Sequence, residues 1–282
     1  MCFTIHRLSV TIGTVDGGTS MKKIVFISGV SKGIGLATAR LLRDAGYAVY
    51  GGARTPIQEE GIHYLPLDVT SPESCQQAIQ HVLDLEGHLD ILINNAGMGV
   101  SGPIENTSLE QAKKNFEVNF FGVHNLTRAA LPSLRQSKGR ILNISSLASE
   151  IPIPYQAFYC ASKAALDQYA LALQIEVKPF GIQVTNIMPG DTKTSFTEHR
   201  EKEEQVNDVY TKRMNQSVSK METDEQSGMS PDSVAHVVLK ILNKGKQPLK
   251  KAVGIKNIVL LTLFRLLPKK LAILVLNKMY NE

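Results

Sequence analysis

A tyrosine and a lysine four positions apart form the pair best suited to chemistry in this sequence. Tyr159 and Lys163 lie in a stretch whose pattern predicts a helix from Tyr159 to about Lys178. Residues four apart share one helix face, with Cβ atoms roughly 5–6 Å apart, so the lysine reaches under the tyrosine. A phenol has a pKa of about 10, and a nearby ammonium lowers that pKa by stabilising the phenolate. The pair would give a proton donor and acceptor near neutral pH, although alone such a pair is far more often a solvated or half-buried contact.

Two serines lie upstream of this pair, at the end of a predicted strand. The run from Arg140 to Ile144 has strand character and leads directly to Ser145 and Ser146. A hydroxyl both donates and accepts hydrogen bonds, so these serines are suited to hold a substrate oxygen beside the phenol.

The first predicted strand, Ile24 to Ser28, leads into a glycine-rich loop and then an amphipathic helix that Gly46 closes. Glycines let the backbone approach a pyrophosphate, and the helix N-terminus offers free N–H groups and the positive end of its dipole. The order of strand, loop and helix favours a dinucleotide site over an ordinary turn, although the spacing is G-x-x-x-G-x-G rather than the common G-x-G-x-x-G. The candidate cofactor contacts in this loop are Gly29, Ser31, Lys32, Gly33, Ile34 and Gly35.

The end of the second predicted strand bears on the choice of cofactor. Folds that select NAD commonly place an acidic residue there for the ribose 2′-hydroxyl, whereas a 2′-phosphate needs a cation. Here the strand from Tyr47 to Gly52 ends at Ala53 and Arg54, and Lys32 adds a second positive charge. The sequence favours NADP(H), with NAD(H) as the alternative, unless Arg54 is only a solvated loop residue.

Amide and small residues follow the predicted fourth strand, Leu89 to Ile93. In an open parallel sheet the carboxyl ends of the strands form the ligand edge, so Asn94 to Gly97 are candidate cofactor contacts. Asn119 is a polar residue in an apolar part of a helix predicted from about Leu109 to Leu134. Asparagine inside a helix needs partners, so Asn119 is either a satisfied structural residue or part of the site.

Further strands and helices continue the alternation. They are a strand at Ile62 to Leu67, a helix from Pro72 to Glu86 capped by Ser71, a strand at Gln183 to Ile187 ending in Met188-Pro189-Gly190, a helix at Val234 to Leu242 begun by Ser230-Pro231, and a last strand at Ala252 to Gly254. Residues 191–229 are polar and charged without a clear period. A segment of that length between core elements is more typical of a functional lid than of a packed element.

Composition describes a soluble globular chain with enough apolar surface for a full core. The 282 residues are 43% hydrophobic and 20% charged, which fits one large α/β domain. The three cysteines show no paired spacing and the seven histidines no metal-ligand pattern, so we expect no disulfide framework and no metal site. The absence of paired cysteines favours a reducing, cytoplasmic location, in which the protein could also associate peripherally with a membrane.

The two ends of the chain differ from its middle. Residues 1–20 contain no apolar run of signal-peptide length, and we expect a flexible N-terminal extension or a misassigned start before Met21. Residues 244–282 carry nine Lys/Arg against one acid, while the whole chain is only +5. The basic charge belongs to the tail, which argues against a nucleic-acid surface on the main domain.

The tail contains two apolar runs, Ile258 to Leu267 and Leu271 to Leu276, separated by Pro268 and two lysines. Each run is shorter than the roughly 18–20 apolar residues needed to cross a bilayer. Two interpretations stay open for residues 256–282. One is a helical extension packed over the substrate cleft or at a subunit interface, and the other is an interfacial helix pair in contact with a membrane.

Taken in order, these motifs resemble those of the short-chain dehydrogenase/reductase family. The resemblance covers about Lys22 to Gly254 and rests on the Ser28-to-Gly35 loop, Asp68, Asn94 to Gly97, Asn119, Ser146, Tyr159-x-x-x-Lys163, and Pro189-Gly190 with Thr194. It implies an α/β fold with a doubly wound, Rossmann-like sheet of about seven parallel strands, helices on both faces and a C-terminal helical extension. It also implies a homodimer or homotetramer, with residues 21–255 as the dinucleotide-binding catalytic domain.

The resemblance further implies roles for single residues. Tyr159 would act as general acid/base, Lys163 would lower its pKa and bind the nicotinamide ribose, and Ser146 would steady the substrate carbonyl. Asn119 would maintain a water-linked proton path to Lys163. Further cofactor contacts are implied at Asp68, Val69, Asn95, Ala96, Gly97, Pro189, Gly190, Thr192 and Thr194, with Asp68 and Asn95 on the adenine side. Two residues depart from the family pattern: Ser28 replaces the usual threonine, and Asp191 follows Pro-Gly where an apolar residue is common.

The function that these residues favour is hydride transfer between NADP(H) and a carbonyl or secondary alcohol. The lid and the tail resemble those of family members grouped with hydroxysteroid and retinol dehydrogenases, which favours a hydrophobic steroid, retinoid or lipid-like substrate. Two alternatives stay open. One is a non-catalytic NADP(H)-binding regulator, against which the intact Ser146, Tyr159 and Lys163 argue, and the other is a lipid-surface interaction protein in which the fold is a scaffold.

Overall fold

Seven parallel strands form one sheet in the computed structural model, which describes residues 22–203 and 206–281. The described residues contain nine strands in all, which are β1 (Ile24–Ser28), β2 (Ala48–Ala53), β3 (Ile62–Pro66), β4 (Ile91–Asn94), β5 (Val100–Ser101), β6 (Arg140–Ile144), β7 (Gln183–Met188), β8 (Glu201–Lys202) and β9 (Lys250–Ala252). The order in the sheet is β3-β2-β1-β4-β6-β7-β9, while β5 and β8 pair separately. The chain winds outward from β1 in both directions, so the predicted doubly wound sheet is confirmed.

Strand β1 shows how both faces of the sheet are buried. All five of its residues are buried, and consecutive side chains point to opposite faces. Phe26 belongs to the hydrophobic cluster on one face, and Val25 and Ile27 belong to the cluster on the other. An uninterrupted apolar strand is typical of a parallel sheet that is covered on both sides.

Helices cover these two faces. The helices of the described residues are α1 (Gly33–Asp44), α2 (Pro72–Glu86), α3 (Leu109–Phe116), α4 (Gly122–Ser137), α5 (Ala157–Val177), α6 (Asp208–Gln226), α7 (Pro231–Leu242), α8 (Ile255–Leu266) and α9 (Lys269–Asn281). Val82 of α2, Leu126 of α4 and Leu173 of α5 belong to one cluster. Leu42 of α1 and Val238 of α7 belong to the other. The sheet is therefore the middle of three layers.

Local sequence explains where several helices begin. Ser71 accepts a hydrogen bond from the Ser74 amide at 3.1 Å and caps α2 as predicted. Helix α5 begins at Ala157, slightly before the predicted start at Tyr159.

The helix predicted from Leu109 to Leu134 is two helices joined by a turn of π-helix over Glu117–Phe121. Single π turns occur often at functional sites, and this one contains Asn119.

The segment 191–229 is more regular than the sequence suggested. It contains the 19-residue helix α6, which is followed by a bridge between Met229 and Thr192. The buried apolar residues of α6 are Met214, Val218 and Met221, a helical spacing that forms one narrow stripe. The remaining positions are so polar that this stripe, made mostly of methionine, gives only a weak periodic signal. The role of this segment as a lid stays a prediction.

The C-terminal tail forms the predicted helical extension. Pro268 separates α8 from α9, and the inner faces of the two helices bury Leu261, Phe264 and Leu276 against Leu147 and Met188. Within residues 22–203 and 206–281, none of the helices combines the length and hydropathy that a membrane span requires. The flexible extension expected at residues 1–20 lies outside the described residues.

Candidate active site

The carboxyl ends of β1, β4, β6 and β7 meet at one edge of the sheet, and most of the expected site residues follow them. The glycine loop follows β1, Asn95 to Gly97 follow β4, Ser145 and Ser146 follow β6, and Pro189 and Gly190 follow β7. This is the edge at which open parallel sheets bind ligands.

The glycine loop has almost no space for side chains. A Cβ on Gly35 would lie 2.2 Å from the carbonyl oxygen of Gly29 and 2.4 Å from Nδ2 of Asn95. Gly29 and Gly33 have φ angles of +74° and +59°, in the region that favours glycine. The turn and the internal packing of the loop therefore require glycine at these positions.

Ser28 and Asn95 fix this loop to β4. The Ser28 hydroxyl accepts hydrogen bonds from the amides of Asn95 at 3.0 Å and Ala96 at 3.1 Å. Asn95 Nδ2 donates in return to the carbonyl oxygens of Ser28 at 2.9 Å and Gly29 at 3.0 Å. The serine that departs from the family pattern thus uses its hydroxyl as a bridge, and the Asn95 amide group shapes the loop.

These residues fit a dinucleotide phosphate. The first turn of α1 has no side-chain cap, so its N–H groups face the loop without a side-chain acceptor. Thr194 lies opposite, since a Cβ on Gly33 would be 3.4 Å from its side chain. The Lys32 ammonium contacts His199, with 2.7 Å to Nε2. A glycine cradle, a helix N-terminus, a hydroxyl and a cation are the groups that bind phosphate.

The other predicted cofactor contacts lie along the same edge. Arg54 is exposed just after β2 and makes no hydrogen bond or ion pair within the described part of the chain. Asp68 closes a turn by accepting from the Thr70 amide at 2.9 Å. Val69 packs against Gly122. The Thr192 hydroxyl donates to the carbonyl of Gly190 at 2.9 Å, which holds the loop after β7.

Tyr159, Ser146 and Lys163 come together as the sequence predicted. The Ser146 side chain lies beside the Tyr159 hydroxyl. Lys163 Nζ lies 5.9 Å from the Tyr159 ring centroid and donates to the carbonyl of Ile144 at 2.9 Å. One strand end and one helix face thus place an acid, a hydroxyl and an ammonium around a common point.

The pKa of Tyr159 differs from the expectation. Burial raises the pKa to about 12, and the neighbouring Ser146 side chain opposes that rise. Burial also lowers the pKa of Lys163 to about 8, against the effect of Asp167. The expected lowering of the Tyr159 pKa by Lys163 does not dominate, because the phenol is enclosed and the lysine binds a backbone carbonyl. In this state the tyrosine is a proton donor.

Asn119 is a buried, satisfied residue. Its Oδ1 accepts from the Met98 amide at 2.8 Å, and its Nδ2 donates to the Met98 carbonyl at 2.9 Å and to the Ser162 hydroxyl at 3.1 Å. Ser162 in turn donates to the carbonyl of Tyr159 at 2.8 Å. The side chain of Asn119 thus holds the loop after β4 against the helix that carries Tyr159.

A buried carboxylate under the serines was missed by the sequence reading. Asp167 accepts hydrogen bonds from Ser145 and Ser149, each at 2.8 Å, and forms an ion pair with Lys250 at 2.8 Å. It is 2% exposed. Its position four residues after Lys163 places both on one helix face, and that spacing is the signal that would have found it.

Three asparagines extend this network across the sheet. They lie at paired positions of β4, β6 and β7. Asn94 Nδ2 donates to Asn143 Oδ1 at 2.9 Å, and Asn143 Nδ2 donates to Asn186 Oδ1 at 2.9 Å. Asn186 Nδ2 then donates to Asp167 at 2.8 Å. The row connects β4 with Asp167 of α5, which lies under the serines that follow β6.

The substrate side of the edge is walled by segments with few motif residues. The Phe196 ring lies 5.8 Å from the Tyr159 ring, and the Arg200 guanidinium lies 6.0 Å from the Phe196 ring. Arg200 forms a buried ion pair with Glu225 of α6. On the opposite side, Leu147 and Met188 pack against α8 and α9. The walls nearest the reaction centre therefore combine apolar residues with one buried ion pair.

No group of three or more histidine, cysteine, aspartate or glutamate side chains in the described residues is arranged to hold a metal ion.

Comparison with known proteins agrees with this geometry. A sequence model of the short chain dehydrogenase family matches residues 23–205. A 3-ketodihydrosphingosine reductase of Bacteroides thetaiotaomicron is 39% identical over 236 residues, which cover 82% of this chain and 88% of that protein. An NADPH-dependent 1-acyldihydroxyacetone phosphate reductase of Schizosaccharomyces pombe is 40% identical over 182 residues, or 62% of each chain.

A solved structure is similar in the same way. A short-chain dehydrogenase from Streptomyces avermitilis superimposes with a TM-score of 0.77 at 30% identity, covering 86% of this chain and 92% of the other.

Proposed function

Because the chain belongs to the short-chain dehydrogenase/reductase family, an oxidoreductase family acting on CH–OH and C=O groups, we propose that it reduces the ketone of a lipid-like substrate with NADPH. The observation that carries this proposal is the arrangement of Tyr159 beside Ser146 and Lys163, at the edge that holds the glycine loop.

The proposed chemistry uses each of these groups at a stated atom. When bound, the nicotinamide cofactor supplies a hydride to the carbonyl carbon. The Ser146 hydroxyl binds the carbonyl oxygen and the Tyr159 hydroxyl donates its proton to it. Lys163, held by the Ile144 carbonyl at 2.9 Å, places its ammonium beside the phenolate that forms. Asn119 holds the helix that carries Tyr159 in position.

We assign the remaining expected residues to cofactor binding. Gly29, Gly33 and Gly35 let the backbone reach the pyrophosphate. Ser31 lies just before α1 and Ile34 lies in its first turn, at the helix end that faces the pyrophosphate. The other proposed contacts are Lys32, Arg54, Asp68, Val69, Asn95, Ala96, Gly97, Pro189, Gly190, Thr192 and Thr194.

The preference for NADP(H) over NAD(H) rests on charge. Arg54 is exposed at the end of β2, where a 2′-phosphate needs a cation. The Schizosaccharomyces pombe relative is an NADPH-dependent reductase, which supports this choice. Fluorescence titration of the purified chain with both cofactors tests it, with Arg54→Gln expected to weaken NADPH and leave NADH unchanged. Equal affinity of the wild type for both would contradict the preference.

The proposed substrate is a ketone on a long alkyl or acyl chain. Two relatives are named for such lipids, 3-ketodihydrosphingosine and 1-acyldihydroxyacetone phosphate. The apolar wall formed by Leu147, Met188 and the tail fits a chain of this kind. A steroid or retinoid, which the sequence also allowed, is the second choice, because no relative named here acts on one.

The test is NADPH oxidation with both lipids, with a steroid ketone and with a short water-soluble ketone. Higher kcat/KM for a long-chain ketone than for the short one supports the proposal. NADPH binding without turnover of any ketone would instead favour the regulator hypothesis.

Assembly into a homodimer or homotetramer also stays a prediction, which sedimentation of the purified chain checks.

A further inference from the structure

The outer surface of α8 and α9 is the largest concentration of exposed apolar side chains in the described residues. Of the 19 large apolar side chains that are exposed there, eleven lie between residues 255 and 279. A surface of this kind on a soluble protein marks an interaction site.

The exposed residues form stripes opposite the buried ones. Leu261 and Phe264 of α8 and Ala272 and Leu276 of α9 are buried. The opposite faces carry what we call the tail surface, which consists of Ile255, Val259, Leu263, Leu266, Leu271 and Leu274. The helix pair is therefore apolar on two sides, of which only the inner one is covered.

Cations surround the tail surface. Residues 255–281 contain Lys256, Arg265, Lys269, Lys270 and Lys278 and no acidic residue. Arg265 is engaged by Glu150, with two hydrogen bonds of 2.7 Å. The lysines leave the tail surface with a net positive charge.

The positive charge of the tail surface distinguishes between two partners, a second copy of this chain and a lipid layer. A second copy of this chain, docked through the same surface, would bring Lys270 and Lys278 toward their own copies, and like charges at an interface oppose association. An anionic lipid layer accepts both features, since lysines bind its head groups and leucines enter the acyl boundary.

We propose that the tail surface docks on a bilayer that contains anionic lipid. The inference deepens the proposed function and depends on it for its biological meaning, because the inner faces of the same helices pack beside the reaction centre. Met188 and Leu147, which lie next to Pro189 and Ser146 in the chain, contact α8 and α9. Docking would set the wall of the cleft against the layer that holds a lipid-like ketone.

Flotation of the full chain with vesicles tests the docking. We expect the wild type to bind vesicles of phosphatidylcholine with phosphatidylglycerol, and to bind pure phosphatidylcholine more weakly. Leu266→Glu should weaken binding about tenfold or more, because it places a charge where a leucine enters the acyl boundary. Leu85→Glu is the matched control, since Leu85 is also an exposed leucine at the end of a helix, at 62% against 77% exposure for Leu266.

A second pair of variants isolates the charge. Lys270→Gln with Lys278→Gln should reduce binding to the anionic vesicles and leave binding to pure phosphatidylcholine unchanged. Lys113→Gln with Lys240→Gln, exposed lysines of α3 and α7, should change neither.

Several outcomes would overturn the proposal. The first is a wild type that does not float with anionic vesicles, and the second is a Leu266→Glu variant that floats like the wild type. The third is a wild type that forms a dimer and does not bind vesicles, with the dimer dissociated by Leu266→Glu. Turnover of the short water-soluble ketone, measured without vesicles, separates this result from the proposed function. Loss of flotation with intact turnover contradicts the docking alone, and flotation without any turnover contradicts the reductase alone.

Discussion

The two sides of the catalytic edge are built differently. On the cofactor side, Ser28 and Asn95 exchange four hydrogen bonds with backbone groups, and Gly35 has no space for a Cβ. On the substrate side, Phe196 packs against Tyr159 and Arg200 lies over Phe196, and α6 adds a short stripe of methionine and valine. Backbone geometry allows only particular residues on the cofactor side, whereas many different side chains could pack on the substrate side.

The buried Arg200 makes this contrast concrete. Its Nη2 binds Glu225, while its Nε and Nη1 have no hydrogen-bond partner within the described residues. Leaving a buried donor without a partner costs free energy. A wall that carries such a cost is less firmly specified than a loop that Ser28 and Asn95 hold with four hydrogen bonds.

The largest expected effect comes from a substitution in the glycine loop, on the cofactor side of the edge. Gly35→Ala should weaken NADPH binding by about a hundredfold or more, since the new Cβ would overlap the Gly29 carbonyl and displace the loop. Fluorescence titration measures the affinity. Gly245→Ala is the control, because nothing lies within 4 Å of a Cβ there. Wild-type affinity in Gly35→Ala would show that the loop is not tightly constrained.

The second prediction concerns the network that joins the two sides. Asp167→Asn should lower the free energy of unfolding by about 3 kcal/mol, because it breaks a buried ion pair with Lys250. It should also move the loss of kcat at high pH to lower pH, because Asp167 opposes the lowering of the Lys163 pKa. Urea unfolding and a pH profile measure the two effects.

The control for this variant is Asp84→Asn, at an exposed position of α2. A destabilised Asp167→Asn with an unchanged pH profile would mean that the carboxylate supports the fold without affecting Lys163.

The positions of most expected site residues could be predicted from the sequence, while their roles in binding and catalysis stay predictions. Gly29, Gly33, Gly35, Ser146, Tyr159 and Lys163 all lie at the expected edge, because positive φ angles, close backbone approach and helix spacing each demand particular residues. Asp167 and α6 were missed for opposite reasons. Asp167 contacts residues from distant strands, and the apolar stripe of α6 is too narrow to dominate a polar segment.

The third prediction tests the substrate side of the edge. Arg200→Met should raise KM for a long-chain ketone about tenfold through loss of the ion pair with Glu225, while NADPH affinity stays unchanged. Arg213→Met, at an exposed position of α6, should leave both parameters at their wild-type values. If Arg200→Met weakened NADPH binding equally, the two sides would not be separable.

The smallest expected effect lies where the tail meets the domain. Hydrogen bonds from Arg265 lower the pKa of Glu150 to about 2, with burial opposing and Lys250 assisting. A folded pKa below the usual 4.5 means that this stabilisation is present above about pH 4.5 and is lost as the pH falls toward 2. Arg265 is 52% exposed, so Arg265→Gln should cost under about 1 kcal/mol at pH 7.

Thermal unfolding of Arg265→Gln and the wild type at several pH values measures this difference. The gap between the two proteins should shrink as the pH falls below 4.5. A constant gap down to acid pH would exclude the carboxylate as its source.

The most direct test of the reaction centre is Tyr159→Phe. The ring keeps its packing against Phe196 but loses the hydroxyl that lies beside Ser146. We predict unchanged NADPH affinity and a loss of turnover of about 10²–10⁴-fold, with Tyr47→Phe, a tyrosine just before β2, as the control. Turnover near the wild-type rate in Tyr159→Phe would contradict the assignment of the proton donor and with it the proposed mechanism.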